Sequence, residues 1–194
     1  MRHRFVLRDG VELAHPLALA LEFLEAYPVS GAPGPRPRSF DERDLRLANR
    51  GGARISAAQI AAILERRGRI ERALREIQPD ASLAARSVPW GPLARLLDGF
   101  ADIPGVGFSK TTKALHPKRP ALVPMLDSVV QAYLPPPAPG LFGEQAVALV
   151  RSYKQDIDRN RAALRELRRQ LAHRGHELTE VRLLDVLLWS LGSV

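Results

Sequence analysis

Apolar residues along the 194-residue chain recur every three to four positions nearly throughout. Strand-like alternation is almost absent, so the pattern predicts an all-α fold. His15 to Tyr27 sets Leu17, Leu21 and Leu24 on one face and stops at Pro28. The stretch PVSGAPGPRPR, residues 28–38, carries too much proline and glycine for helix or strand and reads as an irregular linker. The next helix is expected to open at Ser39, where Ser39 and Glu42 have capping-box spacing, and to run to the Gly51-Gly52 break. Ser56 and Gln59 repeat that spacing at the head of a helix that buries Ile60, Ile63 and Leu64. Ile70, Leu74 and Ile77 carry a further short helix, ended by Pro79.

Leu93, Leu96, Leu97 and Phe100 form a stripe that runs straight into a Pro-Gly-Val-Gly turn. Beyond it, Phe108 to Leu115 has room for two helical turns, and Pro117 and Pro120 bracket a basic loop. Pro124, at a first-turn position, is expected to begin the helix carrying Leu126, Val129, Val130 and Tyr133. LPPPAPG is a stiff surface break. Ala146, Val150, Tyr153, Ile157, Leu164, Leu167 and Leu171 then describe a long amphipathic helix, with an interruption near Asn160. Thr179 caps a last helix that buries Leu184, Leu187, Leu188 and Leu191. The expectation is one all-α domain over 1–194, with the glycine turn and its neighbours in 93–134 and the C-terminal helices in 143–194.

Composition narrows the chemistry. The chain has no cysteine, which excludes disulfides, thiolate zinc sites and iron-sulfur clusters and makes a reducing cytoplasm the expected compartment. No run of 18 or more apolar residues occurs, and MRHRFVLRDGVEL has charges where a signal peptide needs an apolar core. The net charge of +8 favours an anionic partner. The 25 arginines against four lysines are also what a GC-rich genome produces without any binding function. Placement is more telling: Lys110, Lys113, Lys118 and Arg119 fall between Ile103 and Leu126, where there is no acid.

Helix, two-glycine turn, helix is a shape that suits DNA backbone. Glycine at 105 and 107 admits backbone angles closed to other residues and strips side chains from the outer surface of the turn. Phosphate can then approach the main-chain N–H groups at the start of the helix from Phe108, where the helix dipole favours an anion. Lys110 and Lys113 add phosphate contacts that position without reading sequence. A buried corner between two helices with solvated lysines explains the same turn.

The run DIPGVGFSKTTKALHPKRPALVPMLDSVV resembles the hairpin-plus-aspartate signature of the helix-hairpin-helix DNA glycosylase superfamily, with Ile103 to Gly107 as the hairpin and Asp127 as the aspartate. More loosely, LANRGGARISAAQIAAIL is similar to an earlier DNA-facing helix of that superfamily. The chain also resembles a group of uncharacterised actinobacterial proteins that share the Lys-Arg-Pro-x-Leu-Val-Pro and Asp-x-Val-Val run.

The superfamily resemblance implies that the protein flips a damaged base out of duplex DNA, with Asp127 stabilising charge on the sugar or helping to activate the nucleophile. The implied DNA-binding set is Gly105, Val106, Gly107, Phe108, Ser109, Lys110, Lys113, Lys118 and Arg119. Where bifunctional members carry a Schiff-base lysine this chain has Ser109, so a monofunctional enzyme is implied. Two departures bear on catalysis: Pro79 to Pro104 is shorter than the family pattern, and no gap-filling glutamine stands near Asn49.

No metal is expected. His173 and His176 have metal-like spacing but no supporting cysteine or acid pair, and a monovalent cation at the hairpin is the one cofactor left open. Arg161, Arg165, Arg168 and Arg169 form a basic helical face that is either solvated surface or an extension of a DNA track. Duplex DNA in a nucleoid-associated, cytoplasmic setting is the expected partner; neither a membrane nor oligomerisation is indicated. Two alternatives stay open: a DNA-binding module without chemistry on the same scaffold, and a helical protein-interaction domain whose charge is genomic bias.

Overall fold

The helical periodicity of the chain is realised in ten α-helices and two 3₁₀ turns in the computed structural model, which describes residues 4–27 and 36–192. Most of the expected linker, residues 28–35, lies outside the described residues. The helices are α1 (Pro16–Ala26), α2 (Glu42–Arg50), α3 (Ala57–Glu65), α4 (Arg67–Glu76), α5 (Trp90–Leu97), α6 (Phe108–Leu115), α7 (Ser128–Tyr133), α8 (Phe142–Arg159), α9 (Arg161–Ala172) and α10 (Glu180–Gly192). Among the described residues, the only β pairing is an isolated bridge between Val6 and Glu12 in a short N-terminal hairpin. No helix among them is long and apolar enough to cross a membrane.

Helix starts follow side-chain chemistry. Ser56 and Gln59 form the expected reciprocal box at α3, and Thr179 Oγ1 accepts from Arg182 N at the head of α10. At α2 the cap is Asp41, paired with Asp44, rather than Ser39 with Glu42. Aspartate and serine cap about equally well, and at Asp41 the acid three residues on completes the box. Pro124 does not begin α7: residues 119–126 form a turn and extended chain, and Asp127 is the cap.

Burial joins these helices into one contiguous apolar cluster that runs from Phe5 to Leu188. Leu93, Leu96, Leu97 and Phe100 are all fully buried, each contributing roughly 1.5–3 kcal/mol of transfer free energy. α5 lies along α8 and also against α4, while α10 packs on α1, α7 and α9. The α5–α8 approach requires glycine at 143: a Cβ there would sit 2.6 Å from Asp98 Oδ1, and the Gly143 amide donates to that same oxygen at 2.7 Å. The break at Asn160 has a defined purpose. Its buried amide accepts from Val6 N (2.7 Å) and donates to Val6 O (2.8 Å), so the α8–α9 corner holds the N-terminal hairpin as a neighbouring strand would.

A polar network lies inside the core beside α10. Tyr153 Oη donates to Asp185 Oδ1 (2.9 Å), Met125 N donates to Asp185 Oδ2 (3.4 Å), and Arg182 lies 3.9 Å from that carboxylate with its guanidinium over the Trp189 ring. Burial pushes Asp185 up to about 7 despite the opposing pull of Arg182. His116 Nδ1 donates to Val123 O at 2.7 Å, and burial together with Arg182 pushes the imidazole down to about 4.

These two groups link stability to pH with opposite signs. The unfolded chain protonates His116 from 6.5 downwards while the fold resists until about 4, so this contribution falls as pH drops. The fold keeps the Asp185 proton up to about 7 while the unfolded chain releases it near 3.8, so that contribution falls as pH rises. Between pH 4 and 6.5 the two slopes, each up to about 1.4 kcal/mol per pH unit, oppose each other. Urea unfolding across that window is expected to show stability falling with pH in His116→Asn and rising with pH in Asp185→Asn. Parallel slopes in both variants and the parent would overturn the assignment.

Candidate nucleic-acid interface

The glycine turn is built by what it buries. After α5 and the 3₁₀ turn Asp98–Phe100, Ile103 and Val106 turn into the core and Val106 N closes on Ile103 O at 3.0 Å. Pro104, Gly105 and Gly107 are left facing outward. The two glycines differ. Gly105 has φ +72, and a Cβ there would come 2.7 Å from Gln59 Nε2, so both backbone and space demand glycine. Gly107 is extended at φ −99 and needs no special conformation, which corrects the expectation for that residue; a Cβ on it would meet nothing within 4 Å.

Gly107 is also the N-cap of α6, and no side chain caps that helix. The amides of Phe108, Ser109 and Lys110 therefore have no intrahelical acceptor and no capping side chain. Phe108 is an anchor: its ring packs on Phe142 with centroids 4.8 Å apart, tying α6 to the start of α8. Ser109 is half-buried. Lys110 and Lys113 are half-buried as well; Lys110 Nζ donates to Gln59 Oε1 at 2.8 Å, and Lys113 Nζ lies 3.8 Å from where a Gly52 Cβ would be.

That geometry brings in residues the sequence did not mark for this role. Gln59 holds the turn twice, donating to Pro104 O at 2.9 Å and accepting from Lys110, and Arg66 on the same flank of α3 donates to Ala101 O. The loop after α2 exposes Arg50 and Arg54, with Gly52 and Arg54 both at positive φ. The Ser56-x-x-Gln59 spacing signals a cap, and nothing local in it signals the second contact across 45 residues.

Lys118 and Arg119 do not belong to this surface, and their expected DNA contact is corrected. They are 1% and 0% exposed. Lys118 Nζ pairs with Asp44 Oδ1 at 2.7 Å. Arg119 donates to the carbonyls of Pro37, Lys118, Leu74 and Ile77 at 2.6–2.7 Å, which satisfies the C-terminal end of α4. A pair of cations beside prolines reads as an exposed loop, but here carbonyl acceptors from two other segments draw both inward.

Asp127 is half-buried, and its Oδ1 accepts from Val130 N at 3.1 Å as the cap of α7. Oδ2 has no hydrogen bond among the described residues. The approach to it is held from two sides: Leu126 N donates to Thr112 Oγ1 of α6 at 3.0 Å, and Met125 N to Asp185. A groove of about 480 Å³ begins one residue on, between Ser128, Val129 and Tyr133 of α7 and Leu188, Leu191 and Gly192 of α10, and Asp127 is not in its lining. On the basic face of α9, Arg161 bonds Ala84 O and Asp158, Arg168 bonds Leu178 O and Glu180, and Arg169 pairs with Glu166. Among the described residues, no group of three His, Asp or Glu side chains could hold a metal ion.

Comparison with curated proteins and with solved structures gives no match. A family model does match, over residues 25–192, which takes in every helix from the last turn of α1 through α10 and the whole of the glycine turn, and the chain belongs to that family, the Family of unknown function (DUF6308).

Proposed function

We propose that the protein binds duplex DNA along its phosphate backbone through the hairpin at Gly105 to Gly107 and the first turn of α6. The observation that carries this reading is the uncapped start of α6 behind bare backbone: Gly107 presents no side chain, open space lies in front of it, and three amides have no acceptor of their own. Lys110 and Lys113 lie on α6 itself, and Lys113 Nζ approaches Gly52 in the turn between Arg50, the exposed last residue of α2, and the exposed Arg54. Amides and lysines of this kind recognise phosphate oxygens rather than base edges, so binding is tight at low salt and indifferent to sequence.

A second reading adds chemistry at Asp127, and the oxygen it leaves without a hydrogen bond is the observation that favours it. In a flipped nucleotide that carboxylate would stabilise positive charge on the sugar as the N-glycosidic bond breaks. The electron pair of that bond leaves with the base, and water adds to the sugar. Ser109 cannot form a Schiff base, so an abasic site with an intact strand is the product.

Lys110→Glu is expected to weaken duplex binding about tenfold or more for all sequences alike and to flatten the salt dependence by roughly one counterion. Unchanged binding would remove the hairpin from the interface. Gly107→Val is expected to leave the melting temperature unchanged, since its backbone is extended and the space before it is open, while impairing DNA binding. Gly105→Val is expected to lower stability by about 1–3 kcal/mol through its positive φ and the contact with Gln59. If Gly107→Val binds as the parent does, the turn serves only as a corner.

Asp127→Asn retains a capping side chain and should change stability by less than about 0.5 kcal/mol. It is expected to abolish release of free base from lesion-bearing duplex while leaving binding intact. A panel of alkylated, oxidised and deaminated duplexes from which the parent protein releases nothing would leave binding without chemistry.

A further inference from the structure

We infer that the cavity between α9 and the segment leading into α10 is a second anion site, one that takes the phosphate of a nucleotide unit. It stands apart from the hairpin and does not depend on the hairpin's role. The cavity measures about 370 Å³ and is lined by Arg165, Arg168, Arg169, Ala172, Glu177 and Leu178. Arginines at these spacings share one flank of a helix, so three guanidiniums converge on one opening.

Their hydrogen bonds show how the site is prepared. Arg168 is fixed at two points, through Nε to Leu178 O at 2.7 Å and through one terminal nitrogen to Glu180, which leaves its other terminal nitrogen, Nη2, without a hydrogen bond among the described residues. Arg169 pairs with Glu166 through Nη2, and its Nε and Nη1 make no hydrogen bond among the described residues. Arg165 is exposed and has no hydrogen bond or ion pair among the described residues. These are planar forks of N–H donors, matched to phosphate oxygens in a way that lysine is not.

The guanidinium donors, rather than the charge balance around them, favour an anion. The lining holds three positive groups and one negative, Glu177. Glu180 and Glu166, paired with Arg168 and Arg169, offset the remaining positive charge, so affinity rests on donor geometry rather than on net charge and stays moderate. The end of a helix ordinarily presents bare carbonyls that would repel phosphate, but here they are covered. Leu171 O accepts from His176 N (3.0 Å), Ala172 O from Gly175 N (3.0 Å), and Gln170 O from the Arg174 guanidinium (2.8 Å). Ala172 and Leu178 add an apolar wall, and the volume exceeds what a bare phosphate fills, so the ligand is a phosphate attached to a flat or sugar-like body.

Titration calorimetry of the full chain tests this with inorganic phosphate, adenosine 5′-monophosphate, adenosine and a short single-stranded oligonucleotide. The monophosphate or the oligonucleotide is expected to bind and adenosine not. Monophosphate binding that the Arg165→Ala, Arg169→Ala double variant loses assigns the site to free nucleotides, whereas oligonucleotide binding alone that the same variant loses assigns it to a phosphate within a strand. Arg165→Ala and Arg169→Ala, both exposed positions, are each expected to weaken binding about tenfold, as loss of one charge-assisted hydrogen bond would. Arg168→Lys keeps the charge and loses the fork, so it should weaken binding as well. Lys110→Glu should leave monophosphate affinity unchanged. The inference is overturned if the Arg165→Ala, Arg169→Ala double variant binds as the parent does. It is equally overturned if inorganic phosphate outcompetes the monophosphate, if nothing binds, or if Lys110→Glu abolishes binding and so moves the phosphate to the hairpin.

Discussion

The buried Arg119 guanidinium is the contact on which the arrangement around the hairpin depends. A charge removed from water costs several kcal/mol unless its donors are satisfied. Arg119 meets most of that cost through its two terminal nitrogens, which donate to four main-chain carbonyls at the end of α4, at Pro37 and at its own neighbour Lys118, while its buried Nε has no partner among the described residues. Its backbone is equally engaged: Leu122 N and Val123 N both close on Arg119 O. The chain leaving α6 is thereby fixed to α4 and to the approach to α2, while Lys118 fixes it to Asp44 at the start of α2 itself. Removing Arg119 would strand carbonyls in the core and release the segment that carries Asp127.

With that end of α6 clamped, the other end can be left bare. Ile103 and Val106 fasten the turn from below, Phe108 fastens the helix to α8, and Gln59 with Arg66 brace the turn from α3. None of these contacts covers the outer face of Gly107 or the first amides of α6. In the proposed function, a rigid mount around an unsatisfied helix start would favour phosphate binding, because the donors would need no rearrangement when an anion arrived. Charge alone is a poor guide to the interface. Of the four cations between Ile103 and Leu126, two are held half-buried beside the turn and two are structural.

Helix identity and the buried faces followed from periodicity, since burial of an amphipathic face is a local property that neighbouring residues express together. The box at Ser56 and Gln59, the two turns from Phe108 to Leu115, the break at Asn160 and the cap at Thr179 were all legible for that reason. Starts that depend on competition between nearby caps were not: Asp41 displaced Ser39, and Asp127 displaced Pro124. The N-terminal hairpin was missed because its two strands pair with each other over too few residues to show alternation, and Asn160 supplies the rest from 154 residues away.

By itself the sequence determined an all-helical chain, a two-glycine turn between helices, and an aspartate near the start of a short helix. Those properties arise from neighbours within one or two helical turns, where side-chain spacing and backbone preference act directly. Tertiary structure alone decided which cations face water. A lysine and an arginine look the same in sequence whether their donors meet solvent or carbonyls from distant segments, and here Leu74, Ile77, Pro37 and Asp44 made that choice for Lys118 and Arg119. It also decided that Gln59 supports the hairpin and that three arginines of α9 surround a cavity, because both depend on the distance between segments far apart in the chain.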